Sequence, residues 1–312
     1  MPRVSVVSRE FNDYPEPIRN LFIGALCGHQ DACFALLPIG LEQSLFPVLS
    51  RCVPQEFPRN IPKHIAQFWD SPEPPEDVQA AMKGIRNDNP AFSYHLECDA
   101  SARAFIHDHY GASITALYDV CPHPAMRSDF WRLCYLHVKG GVYIDADVTS
   151  RAPLTDITRG THFRTLLPYS VGEPWCLDND VLIQEAGNPL MQHIMETMFQ
   201  RVRHILETGY FENVWVSTGP GAMVVGTMSW IAHTLKNQKV PFHEISQFLM
   251  AAGIAFVAHR QVEQTLDTCS HFAYQSTNAN WRKFMKWPDS NIHHRSAPVI
   301  ISCTACIRTL RS

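Results

Sequence analysis

Asp145 and Asp147 stand two residues apart, directly after the apolar run Val142-Tyr143-Ile144. In an extended chain, residues two apart point to the same side, so these carboxylates aim together while Ala146 faces away. Paired carboxylates at the carboxyl end of a strand make a hard oxygen site, suited to Mg²⁺ or Mn²⁺ together with phosphate oxygens. In open α/β sheets that edge is also where ligands bind. Asp129 and Arg132 are three apart on a predicted helix, so they share a face and present one acceptor beside one forked donor. Each pair taken alone has a plainer reading, as turn aspartates and as a solvated helix pair. Their crowding into one short window, RSDFWRLCYLHVKGGVYIDADVT (residues 127–149), favours a site.

The elements that must position these groups are legible on either side. Pro124 precedes the helix, Ser128 and Asp129 supply its first turn, and Phe130, Leu133, Cys134 and His137 recur at helical spacing. Gly140 and Gly141 end it, and residues 142–144 form the strand that delivers the aspartates. Upstream, residues 61–69 read as a strand, 78–85 as a helix, 92–96 as a second strand and 100–110 as a helix closed by Gly111. A short helix follows from Ile114. Such alternation implies an α/β fold with a mainly parallel sheet flanked by helices, built like a nucleotide-binding half.

Beyond Thr149 the chain reads as a looser region to about Asp180. Asn188-Pro189 then opens a long helix whose buried stripe is Leu190, Ile194, Met198, Val202, Ile205 and Leu206. Thr218-Gly219-Pro220-Gly221 precedes another helical pattern, and backbone N–H groups of such a loop can hold an anion or a hydroxyl. The Lys-Ser/Thr ending of a Walker loop is missing. Residues 254–258 read as a late strand.

Composition narrows the class. A chain of 312 residues with 46% apolar and 18% charged content is an ordinary globular protein, long enough for one large α/β domain or two small ones. A net charge of −4 with no Lys/Arg stripe argues against nucleic acid as a partner. Ten cysteines without regular spacing favour reduced thiols in a cytoplasmic compartment, and the lone Cys303/Cys306 pair lacks the context of a zinc or redox site. Acidic residues at 10, 13 and 16 argue against a secretory signal, and no segment approaches the ~20 apolar residues of a membrane span. Residues 17–51 read as one or two helices packing on the core; a peripheral amphipathic membrane contact is the less favoured reading.

The 127–149 window, with IPKHIAQFW (residues 61–69) and VSTGPGAM (residues 216–223), resembles glycosyltransferase family 32, the DXD sugar transferases, and more distantly the glucosylating domains of clostridial toxins. The resemblance covers roughly the middle two-thirds of the chain. It implies a GT-A-type, Rossmann-like domain over residues 56–285, with a helical extension at 1–55 and a tail at 286–312. It also implies a Mn²⁺ or Mg²⁺ cofactor, a nucleotide-diphosphate sugar donor, a carbohydrate-bearing acceptor and retention at the anomeric carbon. Asp147 would hold the metal, with Asp145 on the ribose or in the metal shell, and Asp129 and Arg132 would orient the donor sugar. Trp69 matches the aromatic that stacks on the base, although a tryptophan at a sheet rim is an equal alternative. Ser128, Thr218 and Gly219 fall in the pocket wall. Asn179 and Asp180 match a polar segment lining the sugar pocket, where carboxamide and carboxylate suit hexose hydroxyls. His271 would be a further metal ligand and Trp281 would meet the diphosphate, but Asn280-Trp281 stands where the family has Ser-Trp. Golgi members carry a membrane anchor that this chain does not show, and bacterial members commonly serve surface-polysaccharide assembly.

Two other readings compete. Asp145-Ala-Asp147-Val-Thr149 also fits the opening of haloacid-dehalogenase-type phosphatases, with Asp145 as nucleophile and Asp147 as general acid/base. That chemistry requires a downstream lysine and a second paired-acid motif after another strand; Lys236 and Lys239 lie in polar helix-end context, and no strand followed by GDxxxD or DD appears. The third reading is a sugar-nucleotide binder without turnover.

Overall fold

A computed structural model describes residues 11–49, 57–157 and 163–276. Two helices open the chain, α1 (Glu16–Leu26) and α2 (Gln30–Glu42). The alternating region follows as β1 (His64–Phe68), α3 (Glu76–Asp88), β2 (Ser93–Glu97), α4 (Asp99–Tyr110), α5 (Ala112–Asp119), α6 (Pro124–Lys139) and β3 (Gly141–Ile144). Next come β4 (Thr149–Ser150), β5 (Thr165–Tyr169), β6 (Val181–Gln184), α7 (Pro189–Thr208), α8 (Val214–Ser217) and α9 (Pro220–Gln238). The last elements are α10 (Ile245–Ala251), β7 (Ile254–Ala258), α11 (His259–Val262) and β8 (Leu266–Asp267).

Six strands form the central sheet in the order β2-β1-β3-β6-β5-β7, and β4 with β8 forms a separate ribbon. The expected mainly parallel sheet holds, with one exception. β6 runs antiparallel to both β3 and β5, so its amino end, not its carboxyl end, lies at the edge where β1, β3, β5 and β7 finish.

Two of these strands fall in the stretch expected to be loose or in its border. β5 contains Pro168, which cannot donate to a ladder. Pairing with β6 stops at Leu166, so Pro168 sits where that side demands no N–H, while the other side stays in register with Val257. β6 is four residues long and fully buried, a run without alternation that periodicity cannot assign.

Side-chain alternation along β3 divides the core. Val142 and Ile144 join a cluster with Ile65, Leu166, Val181 and Val257 on one face of the sheet. Tyr143 points to the other face, where α6, α7 and α9 pack through Phe130, Leu133, Ile194, Met198, Met228 and Ile231. Burying each such aliphatic side chain contributes roughly 1.5–3 kcal/mol relative to exposing it. Phe22 of α1 and Leu36 of α2 belong to this second cluster, so residues ahead of the alternating region pack into the same core. The α7 stripe is buried as expected to Ile205, whereas Leu206 is 39% exposed.

α6 begins one turn earlier than the cap residues suggested. His123 caps it by accepting the Ala125 N–H at 3.1 Å, which places Ser128 and Asp129 inside the helix. Gly140 (φ +64°) and Gly141 (φ +95°) then make the turn into β3. A Cβ on Gly140 would lie 2.5 Å from the Ala186 backbone nitrogen, and one on Gly141 would lie 2.5 Å from the His64 ring. The tight turn therefore admits only glycine, and it aligns the arginine of α6 with the end of β3.

Candidate active site

α6 carries Ser128, Asp129 and Arg132 on one face, all buried beneath the strand edge. Arg132 is 3% exposed and its fork is fully committed. Nη2 donates to Ser128 Oγ at 3.0 Å and pairs with Asp129 at 3.2 Å and Asp145 at 3.0 Å, while Nη1 donates to the Asn179 carbonyl. The guanidinium lies 4.3 Å from the Tyr143 ring centroid, in cation–π contact.

Asp129 is held from two further sides. Asn179 Nδ2 donates to Oδ1 and Thr218 Oγ1 to Oδ2, both at 2.9 Å. Four segments distant in sequence therefore converge on one buried ion network, whose every member is hydrogen-bonded. That satisfaction is what makes a buried ion pair tolerable.

Asp145 and Asp147 differ in setting. Only Asp145 directly follows the strand; Asp147 lies in the turn closed by Val148 N–H on the Asp145 carbonyl at 3.2 Å. The two carboxylates are brought together by this turn, and not by the two-residue alternation of an extended strand. Tyr143 O–H donates to Asp145 Oδ1 at 2.6 Å, and Gln67 Nε2 donates to the Asp145 carbonyl at 3.1 Å. Burial pushes the Asp145 carboxyl up to about 7; Arg132 opposes that rise and the charge of Asp147 adds to it. Asp147 Oδ2 accepts from Tyr274 O–H at 2.5 Å and from Gln275 Nε2 at 3.2 Å, on the short 3₁₀ turn Ala273–Ser276.

The remaining predicted groups fall in three places. Trp69 follows β1, contacts Tyr274 edge to face at 5.1 Å, and packs against the patch that includes Ala146 and Phe272. It therefore stands at the same edge as the aspartates. Asn179 is a buried support, whereas the Asp180 side chain is 22% exposed at that edge. Thr218 is wholly buried beneath Asp129. The N–H groups of Thr218 and Gly219 both donate to the Val214 carbonyl at 3.1 Å, so they close a turn and do not present themselves to an anion. His271 is exposed, and among the described residues no group of three or more His, Cys, Asp or Glu side chains is arranged around a metal. Trp281, like Cys303 and Cys306, lies outside the described residues.

The donor set fits a hard divalent cation. The hydrogen bonds described fall on Oδ1 of Asp145 and Oδ2 of Asp147, so the second oxygen of each carboxylate is the one that could face a cation. Two carboxylates completed by phosphate oxygens and water are the usual complement for Mg²⁺.

Sequence reasoning missed several contributors. Tyr143 was read only as part of an apolar run, yet its hydroxyl joins Ser128 (2.8 Å) to Asp145. Tyr274, Gln275 and Gln67 carried no local signal. His259, first residue of α11, also went unremarked. Its Nε2 lies 3.0 Å from Asp180 Oδ2 and its Nδ1 3.6 Å from Glu263 Oε1.

Among the described residues, the two lysines weighed for the phosphatase reading stand far from the aspartates. Lys236 and Lys239 lie at the far end of α9, whose near end meets Asp129 through Thr218. At 1.5 Å per residue that places Lys236 roughly 27 Å away.

Fold and site together define a mixed α/β domain with an acidic strand-end site clamped by a buried arginine. The family described as glycosyltransferase sugar-binding region containing DXD motif matches residues 75–164, a segment that includes Asp129, Arg132, Asp145 and Asp147. "Inositol phosphoceramide mannosyltransferase 3" of Schizosaccharomyces pombe is 29% identical over 170 residues, covering 54% of this chain and 46% of the relative. The "Initiation-specific alpha-1,6-mannosyltransferase" of the same yeast is 32% identical over 104 residues, 31% of this chain and 25% of the relative. The chain thus spans less than half the length of these relatives. Among solved structures, "PaToxG Glycosyltransferase" aligns with a TM-score of 0.42 at 14% identity, covering 75% of this chain and 92% of that one. The resemblance to the DXD glycosyltransferases holds in the segment that carries the acidic site.

Proposed function

We propose that the chain is a metal-dependent glycosyltransferase that moves a hexose from a nucleotide-diphosphate sugar, UDP-hexose or GDP-mannose, to a saccharide, lipid-linked or protein acceptor with retention. The observation that carries this reading is the buried Asp129–Arg132 pair that holds the partly exposed Asp145, two residues before Asp147, within the DXD-matched segment. The names of the yeast relatives point to mannose as the sugar and a lipid-linked acceptor. Free thiols at Cys33, Cys98, Cys134 and Cys269 suit a reducing, cytoplasmic setting, with membrane-peripheral work on such an acceptor. Among the described residues no helix is long and apolar enough to cross a membrane.

In this reading Asp145 and Asp147 hold the Mn²⁺ or Mg²⁺ whose Lewis acidity offsets the charge of the departing nucleoside diphosphate. Arg132 opposes the burial that would protonate Asp145, and so keeps it available as an oxygen ligand. Trp69 stacks on the base, and Asp180 receives hexose hydroxyls. Ser128, Asp129, Asn179 and Thr218 serve from behind as a rigid frame that fixes the arginine. His271 adds a further metal ligand in this reading.

Thermal-shift titration with Mn²⁺ plus UDP, GDP and their hexose conjugates tests the proposal. A ligand at about a hundredfold excess over its dissociation constant stabilises by roughly 2.7 kcal/mol. Stabilisation by one diphosphate only when metal is present is the expected result. No response to any of them removes the proposal.

A further inference from the structure

Asp180, like Asp147, is an accessible carboxylate at the ligand edge that the arginine does not hold. Its carbonyl accepts the Asp145 N–H at 2.7 Å, which fixes its backbone against the end of β3. Its side chain is bound instead by His259, whose Nε2 lies 3.0 Å from Oδ2 and 3.3 Å from Oδ1. Glu263, the residue that caps the end of α11, faces the other ring nitrogen at 3.6 Å. With a carboxylate on each nitrogen, the ring is suited to carry two protons and a positive charge.

The edge needs that charge. Asp178 and Asp145 flank Asp180, and the charge of Asp180 adds to the burial that raises the Asp178 carboxyl. Arg132 cannot neutralise this group of acids alone, since its donors are spent on Ser128, Asp129, Asn179 and Asp145. An unheld Asp180 carboxylate would turn away from its neighbours.

We infer that His259 is a positioning residue that sets which hexose the site accepts, by fixing the direction in which Asp180 presents its free lone pairs to a sugar hydroxyl. A carboxylate held in one orientation favours a hydroxyl of matching axial or equatorial direction, and a freely turning one does not. This inference rests on the glycosyltransferase reading proposed above.

The test compares wild type, H259F and H259Q with Mn²⁺ and UDP-glucose, UDP-galactose and GDP-mannose, alongside free UDP and GDP. H259F keeps a ring but loses both donors; H259Q retains one N–H toward Asp180. In H259F the KM for the preferred donor rises about tenfold or more, kcat changes less than about threefold, and the kcat/KM ratio between best and second-best donor shrinks. The affinity for the free diphosphate is unchanged, and H259Q recovers most of the lost discrimination. An unchanged donor KM and unchanged preference in H259F overturns the inference, as does an equal loss of diphosphate and donor binding. If the wild type binds no diphosphate, the glycosyltransferase reading and the inference fall together; if it turns over and H259F matches it, the inference falls alone.

Discussion

Arg132 in the middle of α6 reaches Asp145 beyond β3 at 3.0 Å, and the Gly140-Gly141 turn between them is what permits the contact. The pair lies between a helix that cannot slide and a strand that cannot move sideways. Removing one partner of a buried pair leaves a charge unpaired and costs about 3–5 kcal/mol. Arg132→Ala is therefore expected to destabilise the fold by that order in urea denaturation. Arg132→Lys retains charge but not the fork, so it should retain more stability than the alanine variant and still lose turnover at least tenfold.

Asp147→Asn changes a turn residue outside the buried network. Its melting temperature should stay within a few degrees of wild type, because Tyr274 and Gln275 retain a partially polar partner. Mn²⁺-dependent turnover should disappear, since one of the two anionic oxygen ligands is gone. Unchanged turnover would remove the metal role of this residue.

Trp69→Ala should weaken binding of the free nucleotide while leaving the preference among hexose conjugates intact. A stacked aromatic contributes about 1–3 kcal/mol per base, so the dissociation constant of UDP or GDP should rise at least fivefold by calorimetry. The opposite outcome, altered hexose preference with unchanged nucleotide affinity, would move Trp69 to the sugar end of the pocket.

His259 makes stability depend on pH. Burial alone would lower its pKa, but Asp180, Asp178 and Glu263 together raise it from 6.5 to about 9. A group whose pKa is raised on folding stabilises fully below its unfolded value, and the contribution drains away as pH climbs through the folded value. The stability gap between wild type and H259F should therefore be widest below pH 6.5, at about 3 kcal/mol, and close by pH 9. Denaturation midpoints of both proteins across pH 5.5–9.5 give the gap directly.

What the sequence disclosed was local. Asp129, Arg132, Asp145 and Asp147 lie within nineteen residues of one another, so helix period and the glycine pair sufficed to place them near one strand end. Helices α3, α4, α5, α7 and α9 and strands β1, β2 and β7 emerged within a few residues of their observed bounds for the same reason, whereas α8, α10 and α11 went unread. Gln67 reaches the site because β1 lies beside β3, and His259 and Tyr274 arrive from the end of β7 and from the turn after the β4–β8 ribbon; no spacing encodes these adjacencies. The reversal of β6 was equally hidden. Nothing in Val-Leu-Ile-Gln tells a buried strand which way to run, yet that direction decides whether Asp180 stands at the ligand edge or at the opposite one. Ser128 and Thr218, expected in the pocket wall, face the protein interior, a distinction that only packing makes.

Because β6 is reversed, the connection from Tyr169 to Val181 both leaves and re-enters the sheet at the ligand edge. Cys176, Leu177 and Asn179 of this connection are buried and Asn179 belongs to the ion network, but residues 171–175 are exposed, and exchanges there leave every strand in register at little structural cost to this short stretch. It already exposes Val171 and Trp175, two apolar side chains with no part in the core. The helix that carries Arg132 has no such latitude, since each residue of its inner face answers to several partners at once. Divergence among descendants of this scaffold is thereby channelled toward the rim, and new substrates become reachable by replacing a few exposed residues around 171–175 while the ion network is inherited unchanged.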